Sequence, residues 1–136
     1  MEFNASSPTQ EMGNLSLKNK IFVLVVDDNR VNRRIVAMML AKLGVEVHEA
    51  EHGQEAVNIH VAGARYNLIL IDMEMPATRI LRRMGIQCKI VGVTANSRSS
   101  DEKEFMDAGI DEFFPKPMTR AKLVSLLEEL EAARAA

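Results

Sequence analysis

Short apolar runs and helical periodicities alternate along the chain. The run from Ile21 to Val26 is continuous and rich in β-branched residues, which favours a strand of a parallel sheet covered on both faces. The apolar residues behind it recur at helical spacing: Val31, Ile35, Met38, Met39 and Leu43. Gly44 then ends the periodic stretch, as the C-terminal caps of helices often do. We therefore predict a strand and a helix here, with Met38 and Met39 in the core.

The same alternation continues to the C-terminus. We predict further strands over residues 45–50, 67–71, 89–93 and 111–114. We predict further helices over residues 53–62, 77–84 and 99–108, and a last one capped by Thr119. The first of these helices is expected to bury Ala56, Val57 and Val61, and strand 45–50 alternates enough to lie near a sheet edge. The pattern defines an α/β fold class: an open, doubly wound, parallel five-stranded sheet with helices on both faces.

Length and composition fit one domain. The chain has 136 residues, of which 47% are hydrophobic and 26% charged, and a domain usually holds about 150 residues. Residues 1–19 are polar and aperiodic, so we assign them to a flexible tail, and residues 20–134 to the domain. No run of about 18 apolar residues occurs, so we expect no membrane span.

Charge and cysteine content argue against some functions. Seventeen basic and nineteen acidic residues give a net charge of −2, whereas nucleic-acid and membrane-surface binders carry a basic excess. We therefore expect no direct nucleic-acid or membrane partner. The single cysteine, Cys88, cannot form an intramolecular disulfide, which indicates a reducing compartment: the cytoplasm, and also the nucleus. We expect its thiol to be inert beside a buried strand.

Four of the five predicted strands end on polar residues. Asp27 and Asp28 follow the first strand, Asp72 the third, Thr94 the fourth and Lys116 the fifth. The carboxyl ends of parallel strands meet at one rim of the sheet, where ligands bind. Three converging carboxylates repel one another unless a cation lies among them, and oxygen ligands without His or Cys suit Mg²⁺. A carboxylate can also attack phosphorus, with Mg²⁺, an ammonium and a hydroxyl neutralising the phosphoryl oxygens.

Simpler interpretations exist for each residue taken singly. An aspartate after a strand is often only the N-cap of the next helix. His48, His52 and His60 lack a neighbouring cysteine, so we interpret them as solvent-facing rather than as a zinc site. The convergence of all five polar residues at one rim is what favours a site for phosphoryl transfer.

These residues stand in stretches that resemble the receiver domain of two-component response regulators. The stretches are VLVVDDNRVNRRI, NLILIDMEMP, IVGVTAN and FFPKP, spread over residues 21–130. The first two are most similar to receivers of hybrid histidine kinases and of plant multistep phosphorelays, including the plant type-C group. The resemblance implies a flavodoxin-like (βα)5 fold with strand order 2-1-3-4-5 and a role in signal transduction, such as cytokinin signalling in plants.

The resemblance also implies a phosphoacceptor and a metal site. Asp72 would be the phosphoacceptor. Asp27 and Asp28 would be the acidic pair that binds Mg²⁺, together with Asp72 and the backbone carbonyl of Glu74.

A second group of roles follows from the same resemblance. Thr94 would be the switch hydroxyl that contacts the phosphoryl group, and Lys116 would pair with that group. The bond between Lys116 and Pro117 would be a cis peptide. Phe113 stands where the family places its switch aromatic residue.

The sequence departs from the family pattern after Pro76. Where family members continue with a segment like VMDGPE, Pro76 runs straight into Ala77, Thr78 and Arg79, so about six residues are missing. Sixteen residues, 73–88, then link the third and fourth strands, and a parallel crossover needs a dozen or more. We expect a shortened third helix, a less covered core beside it, and exposed apolar surface that could drive formation of a homodimer.

Three functions remain open. The first is a stand-alone receiver, not an enzyme, that accepts a phosphoryl group from a histidine phosphotransfer protein or a histidine kinase. The second is a pseudo-receiver, in which the missing segment impairs phosphorylation and the domain acts only by binding proteins. The third is a phosphatase similar to the haloacid dehalogenases. That family has two aspartates separated by one residue after its first strand, whereas Asp27 and Asp28 are adjacent.

Overall fold

The computed structural model describes residues 20–73, 75–95 and 99–135, so the predicted tail over residues 1–19 lies outside the described residues. Within these residues, five strands and five helices alternate. The strands are β1 (Phe22–Val26), β2 (Glu46–Ala50), β3 (Leu68–Ile71), β4 (Lys89–Thr94) and β5 (Glu112–Pro115). The helices are α1 (Arg30–Lys42), α2 (Gly53–Val61), α3 (Met75–Arg83), α4 (Ser99–Ala108) and α5 (Arg120–Ala135).

The strands form one sheet in the order β2-β1-β3-β4-β5, and every neighbouring pair is parallel. This confirms the predicted doubly wound, flavodoxin-like fold, and β2 lies at an edge as its alternation indicated. All carboxyl ends therefore point to one rim. None of the helices within the described residues is long and apolar enough to cross a membrane.

Each face of the sheet has its own core. On one face, Val23 and Val25 of β1 pack against α1 and α5. These two helices, and the residue that caps the C-terminus of α1, contribute buried leucines: Leu40, Leu43, Leu123, Leu126 and Leu127. On the other face, Leu24 and Val26 pack against α2, α3 and α4. Complete burial of one such side chain is worth about 1.5–3 kcal/mol, so the two cores hold β1, and the aspartates that follow it, in a fixed position.

Helix α1 turns a different side to the sheet than its apolar pattern predicts. Val31, Ile35 and Met38 are 66%, 51% and 55% exposed. The prediction that Met38 lies in the core is therefore wrong, whereas Met39 packs against the core as predicted. We call the exposed residues Val31, Ile35 and Met38 the α1 outer surface.

The buried side of α1 includes a charged residue, Arg33. Its Nε donates to Oε1 of Glu49 at 2.9 Å, and its Nη1 donates to the carbonyl oxygen of Asp27 at 2.8 Å. Because these bonds satisfy the guanidinium, the burial of Arg33 is tolerated. The partner on β2 is distant in sequence, so helical periodicity could not indicate which side of α1 is buried.

Helix α2 also differs from its predicted orientation. Val61 is 70% exposed rather than buried, and His60 is 1% exposed rather than solvent-facing. The His60 ring lies edge to face against Tyr66, with centroids 5.3 Å apart, and Nδ1 of the half-buried His48 lies 2.8 Å from the Tyr66 hydroxyl. His52 is exposed as predicted. Two of the three histidines thus serve packing around a tyrosine.

Helix α3 closes the short crossover. It spans nine residues and begins two residues before its predicted start. Ala77 and Leu81 are buried against the sheet, and every residue of β3 is at most 2% exposed. The expectation of a less covered core is therefore wrong for the described residues. Ile80 of α3 remains 39% exposed.

Candidate functional site

The rim at the carboxyl ends of the strands holds the predicted site residues. The Asp72 amide donates to the carbonyl oxygen of Val26 at 2.9 Å, and the Lys116 amide donates to that of Thr94 at 2.7 Å. These bonds continue the sheet ladder beyond the strand ends. The sheet itself therefore positions the Asp72 and Lys116 backbones, which gives a more precise site than loops would give.

Three carboxylates meet at the ends of β1 and β3. One oxygen atom from each of Asp27, Asp28 and Asp72 lies within 4.8 Å of the others. Asp27 is buried, Asp72 is half-buried and Asp28 is exposed. The Asn29 amide donates to Oδ1 of Asp27 at 2.8 Å and so fixes the innermost carboxylate. The cluster is open to solvent on the side of Asp28.

Lys116 brings a positive charge to this cluster. Its Nζ lies 3.0 Å from Oδ1 of Asp72 and 3.5 Å from Oδ2 of Asp27. The peptide bond between Lys116 and Pro117 is cis. One ammonium faces three carboxyl groups, so the charges are not balanced by the protein alone.

The surroundings of Asp72 disfavour its ionised form. Burial raises the pKa of the Asp72 carboxyl, the hydrogen bond from Lys116 lowers it, and the charge on Asp27 raises it, with a net increase. Burial lowers the pKa of Lys116, but its hydrogen bonds to Asp72 and Asp27 and their charges outweigh that effect and raise it. Lys116 therefore stays charged, and ionised Asp72 gains from any further cation nearby.

The donor set fits Mg²⁺. Among the described residues, these three aspartates are the group of His, Cys, Asp or Glu side chains placed closely enough to hold a metal ion. They offer only hard oxygen ligands, and Mg²⁺ is usually held by one or two carboxylates with several waters. Glu74, the fourth predicted metal ligand, lies outside the described residues.

Thr94 and Phe113 occupy different places. Thr94 is 3% exposed at the end of β4, the strand that lies between those preceding Asp72 and Lys116. Phe113 is half-buried on β5, and its ring contacts that of Phe105 on α4 edge to face, with centroids 5.4 Å apart. The structure thus brings Thr94 to the rim and uses Phe113 to connect β5 with α4.

Sequence reasoning missed an apolar cavity beside the carboxylates. It has a volume of about 110 Å³ and lies between α1 and the residues that follow β5. Asp27, Asp72 and Lys116 line its polar end. Apolar side chains line much of the rest, including Val25, Ile35, Val36, Leu70 and Met118. Ile35 belongs both to this lining and to the α1 outer surface, so the apolar stripe of α1 was the available signal.

The fold and the site define a class of protein: a parallel α/β domain with an acidic cluster and a lysine at its strand ends. Comparison with known proteins identifies the family within this class. Residues 23–128 match the response regulator receiver domain family. The Arabidopsis thaliana protein Two-component response regulator 24 is 43% identical over 127 residues, covering 89% of this chain and 91% of that protein. The chain therefore belongs to the response regulator receiver domain family and is a receiver domain of two-component signalling.

Two yeast proteins extend the comparison. The osmosensing histidine protein kinase SLN1 of Saccharomyces cerevisiae is 35% identical over 128 residues, which are 85% of this chain and 10% of that protein. A chain in the co-crystal structure of the Saccharomyces cerevisiae histidine phosphotransfer signaling protein Ypd1 and the receiver domain of Ssk1 matches with a TM-score of 0.78 and 27% identity. The match covers 86% of this chain and 92% of that chain. The predicted resemblance to plant and hybrid-kinase receivers is confirmed.

Proposed function

We propose that Asp72 accepts a phosphoryl group from the phosphohistidine of a histidine phosphotransfer protein or a histidine kinase. The position of Asp72 carries this proposal. Its carboxylate lies within 4.8 Å of two other carboxylates and 3.0 Å from the ammonium of Lys116. A half-buried carboxylate whose ionised form is disfavoured is a reactive nucleophile that remains accessible from solvent.

The transfer exchanges one bond to phosphorus for another. An oxygen of Asp72 attacks phosphorus in line with the P–N bond, the P–O bond forms and the P–N bond breaks. The electron pair of the P–N bond returns to the imidazole, which takes up a proton from water. The product on this chain is an acyl phosphate of Asp72.

Lys116 and Thr94 act on the charge of the transferred group. That charge is spread over three phosphoryl oxygens, which the protein must neutralise in place. Lys116 contacts Asp72 already, so its ammonium reaches a phosphoryl oxygen on Asp72 by a small side-chain movement. Thr94 ends β4, the strand between those that precede Asp72 and Lys116, and its hydroxyl donates a hydrogen bond to another phosphoryl oxygen. Asp27, Asp28 and Asp72 would hold Mg²⁺, and the ion would supply the remaining positive charge that lets two anionic groups approach.

The α1 outer surface is the proposed docking face for the phosphodonor protein. Val31, Ile35 and Met38 are exposed apolar residues, and α1 also bears the exposed bases Arg30 and Arg34. The apolar cavity links this face to Asp72. A solved relative of this fold is a receiver domain crystallised with a histidine phosphotransfer protein, which supports a donor of the same kind here.

A phosphotransfer assay tests the proposal. A phosphohistidine-labelled phosphotransfer protein is mixed with the chain and Mg²⁺, and label on each protein is followed with time. We expect the donor to lose label to the native chain and not to the Asp72→Asn variant. Asp107→Asn, at an exposed position on α4, is the matched control and should behave as native.

Each other outcome supports a different function. Label that stays on the donor with both chains would overturn the proposal in favour of a pseudo-receiver that binds without accepting phosphate. Hydrolysis of a small phosphate ester would favour the phosphatase alternative. A cytoplasmic or nuclear location, and a homodimer, are proposals that fractionation and sedimentation would test.

A further inference from the structure

Two exposed apolar side chains lie on the face of the sheet opposite to α1. Val61, at the end of α2, is 70% exposed, and Ile80, on α3, is 39% exposed. Both helices pack against one face of the sheet, whereas α1 and α5 cover the other face. The docking face proposed for the phosphodonor on α1 therefore does not account for Val61 and Ile80.

The contacts of Arg82 show which way Ile80 is directed. Nε of Arg82 donates to the carbonyl oxygen of Gly109, directly after α4, at 2.9 Å, and its Nη2 lies 2.9 Å from Oδ2 of Asp111. Arg82 thus leaves α3 on the side of α4, while Leu81 is buried against the sheet. Successive residues of a helix are about 100° apart, so Ile80 leaves α3 on the side away from α4. Helix α3 contacts α2 as well as α4, so Ile80 is directed toward α2.

Val61 borders the same groove from the side of α2. Val57, one turn earlier, is buried in the core cluster that also contains Ala77 and Leu81 of α3. Residues four positions apart lie on one side of a helix, so Val61 continues the row of Val57 along the edge of α2 that faces α3. Each of the two helices therefore contributes one exposed apolar side chain to the groove between them.

Three exposed arginines surround this groove. Arg79 and Arg83 lie on α3, before and after Ile80. Nη1 of Arg65 donates to the carbonyl oxygen of the residue before Val61 at 3.0 Å, which holds this guanidinium at the end of α2. Among the residues that the structure describes, none of the three arginines forms an ion pair with a carboxylate. We call the following residues the α2–α3 surface: Val61, Arg65, Arg79, Ile80 and Arg83.

The nearby polar residues of α2 do not neutralise these arginines. Gln54 and Asn58 are exposed and uncharged, and Nε2 of Gln54 donates to Oδ1 of Asn58 at 2.9 Å. Glu55 is half-buried, and its Oε1 accepts from the Glu51 amide at 2.6 Å. The α2–α3 surface thus combines an apolar centre with three positive charges, which is complementary to a segment that carries apolar and acidic residues.

We propose that the α2–α3 surface binds an acidic amphipathic helix of a second protein. A helix that lies along the groove packs its apolar side on Val61 and Ile80, and its carboxylates reach the arginines. The net charge of −2 on the whole chain opposes long-range attraction of a nucleic acid or an anionic membrane, which favours a protein segment. Because α1 lies on the other face of the sheet, this partner and the phosphodonor bind without overlap. The proposal goes beyond the proposed function and does not depend on phosphate transfer.

A synthetic peptide tests the proposal. The probe is a fluorescein-labelled peptide of about 16 residues, with leucine at helical spacing on one side and glutamate at the other positions. Fluorescence anisotropy measures its binding to the whole chain. We expect Arg79→Glu and Ile80→Ser each to weaken binding at least about fivefold. The matched controls are Lys42→Glu, exposed on α1, and Met106→Ser, exposed on α4, and both should bind as the native chain does.

Peptide variants and salt separate the two contributions. A peptide with lysine in place of glutamate, or serine in place of leucine, should not bind, and binding of the original peptide should weaken as salt is added. Equal binding by the native chain and Arg79→Glu, or NMR amide shifts on α1 instead of α2 and α3, would overturn the proposal. So would binding of phosphatidylserine vesicles without binding of the peptide, which would assign the surface to a membrane.

Discussion

Lys116 and a bound divalent cation would contact the same carboxylates, so the positive charge of Lys116 weakens binding of the cation. Lys116→Gln removes a positive charge 3.0 Å from Asp72 and keeps a hydrogen-bond donor. Because unit charges about 4 Å apart near a protein surface interact by about 4 kcal/mol before salt screening, we expect the variant to bind Mg²⁺ about threefold to tenfold more tightly. We expect its phosphotransfer to be at least about tenfold slower, since the charge on the transferred group is less neutralised.

Calorimetric titration with Mg²⁺ and the rate of label loss from the donor measure these two effects. Lys103→Gln, at an exposed position on α4, controls for the loss of one charge and should change neither. Weaker Mg²⁺ binding by Lys116→Gln, or native phosphotransfer, would contradict the role proposed for Lys116.

At the scale of helix α1, an exposed apolar surface should matter for partner binding and not for stability. Ile35→Ser changes a side chain that is 51% exposed, and surface substitutions usually alter stability by at most about 0.5 kcal/mol. We expect phosphotransfer from the donor protein to fall by about tenfold, as loss of one apolar contact in an interface allows. Val61→Ser, 70% exposed on α2, should leave the rate unchanged. Equal rates for the two variants would place the docking face elsewhere.

At the ends of two helices, Gly63 after α2 and Gly109 after α4 separate the effect of backbone strain from that of side-chain contact. Gly63 and Gly109 have φ +109° and +106°, but a Cβ atom at Gly63 meets nothing within 4 Å, whereas one at Gly109 meets Arg82 at 2.6 Å. Alanine at Gly63 should cost about 1–2 kcal/mol for the left-handed backbone alone. Alanine at Gly109 should cost about 1 kcal/mol more, because Arg82 must move and its bond to the Gly109 carbonyl is lost. Urea unfolding measures both, and equal losses would show that Arg82 adapts without cost.

At the scale of the whole molecule, the fold could be predicted because each strand is a short, buried apolar run with a polar end. The same feature predicted that Asp27, Asp28, Asp72, Thr94 and Lys116 share one rim, since parallel strands place their carboxyl ends together. Strand order and the residue roles came from the family resemblance, because pattern alone leaves several sheet orders open.

What could not be predicted depends on contacts between distant residues. Arg33 is buried on α1 with an ion pair to Glu49, and His60 is buried on α2 against Tyr66. Periodicity marks an apolar stripe but does not say whether it faces the core or a partner. The Arg82 contacts join residues up to 29 positions apart in sequence, so no local pattern indicates them.

The unfolding free energy of the whole domain should depend on the excess of negative charge among the carboxylates at its rim. The pKa of Asp72 is higher in the folded protein than its ordinary value, mainly through burial. The neutral form of Asp72 therefore adds stability at low pH, and this is lost as pH rises through the folded pKa. At pH 7 without Mg²⁺, Asp72→Asn should unfold at a higher temperature than the native chain, by roughly 4 °C for a gain of about 1 kcal/mol. The difference in unfolding temperature should shrink as the pH is lowered toward the ordinary pKa of a carboxyl group.

Saturating Mg²⁺ should make the native chain the more stable of the two, because an ion bound only by the folded state stabilises it and the native chain has the complete ligand set. Thermal unfolding followed by circular dichroism at several pH values, with and without Mg²⁺, measures each step. An Asp72→Asn variant less stable than the native chain without Mg²⁺ would mean that the contact with Lys116 outweighs the cost of burying the charge.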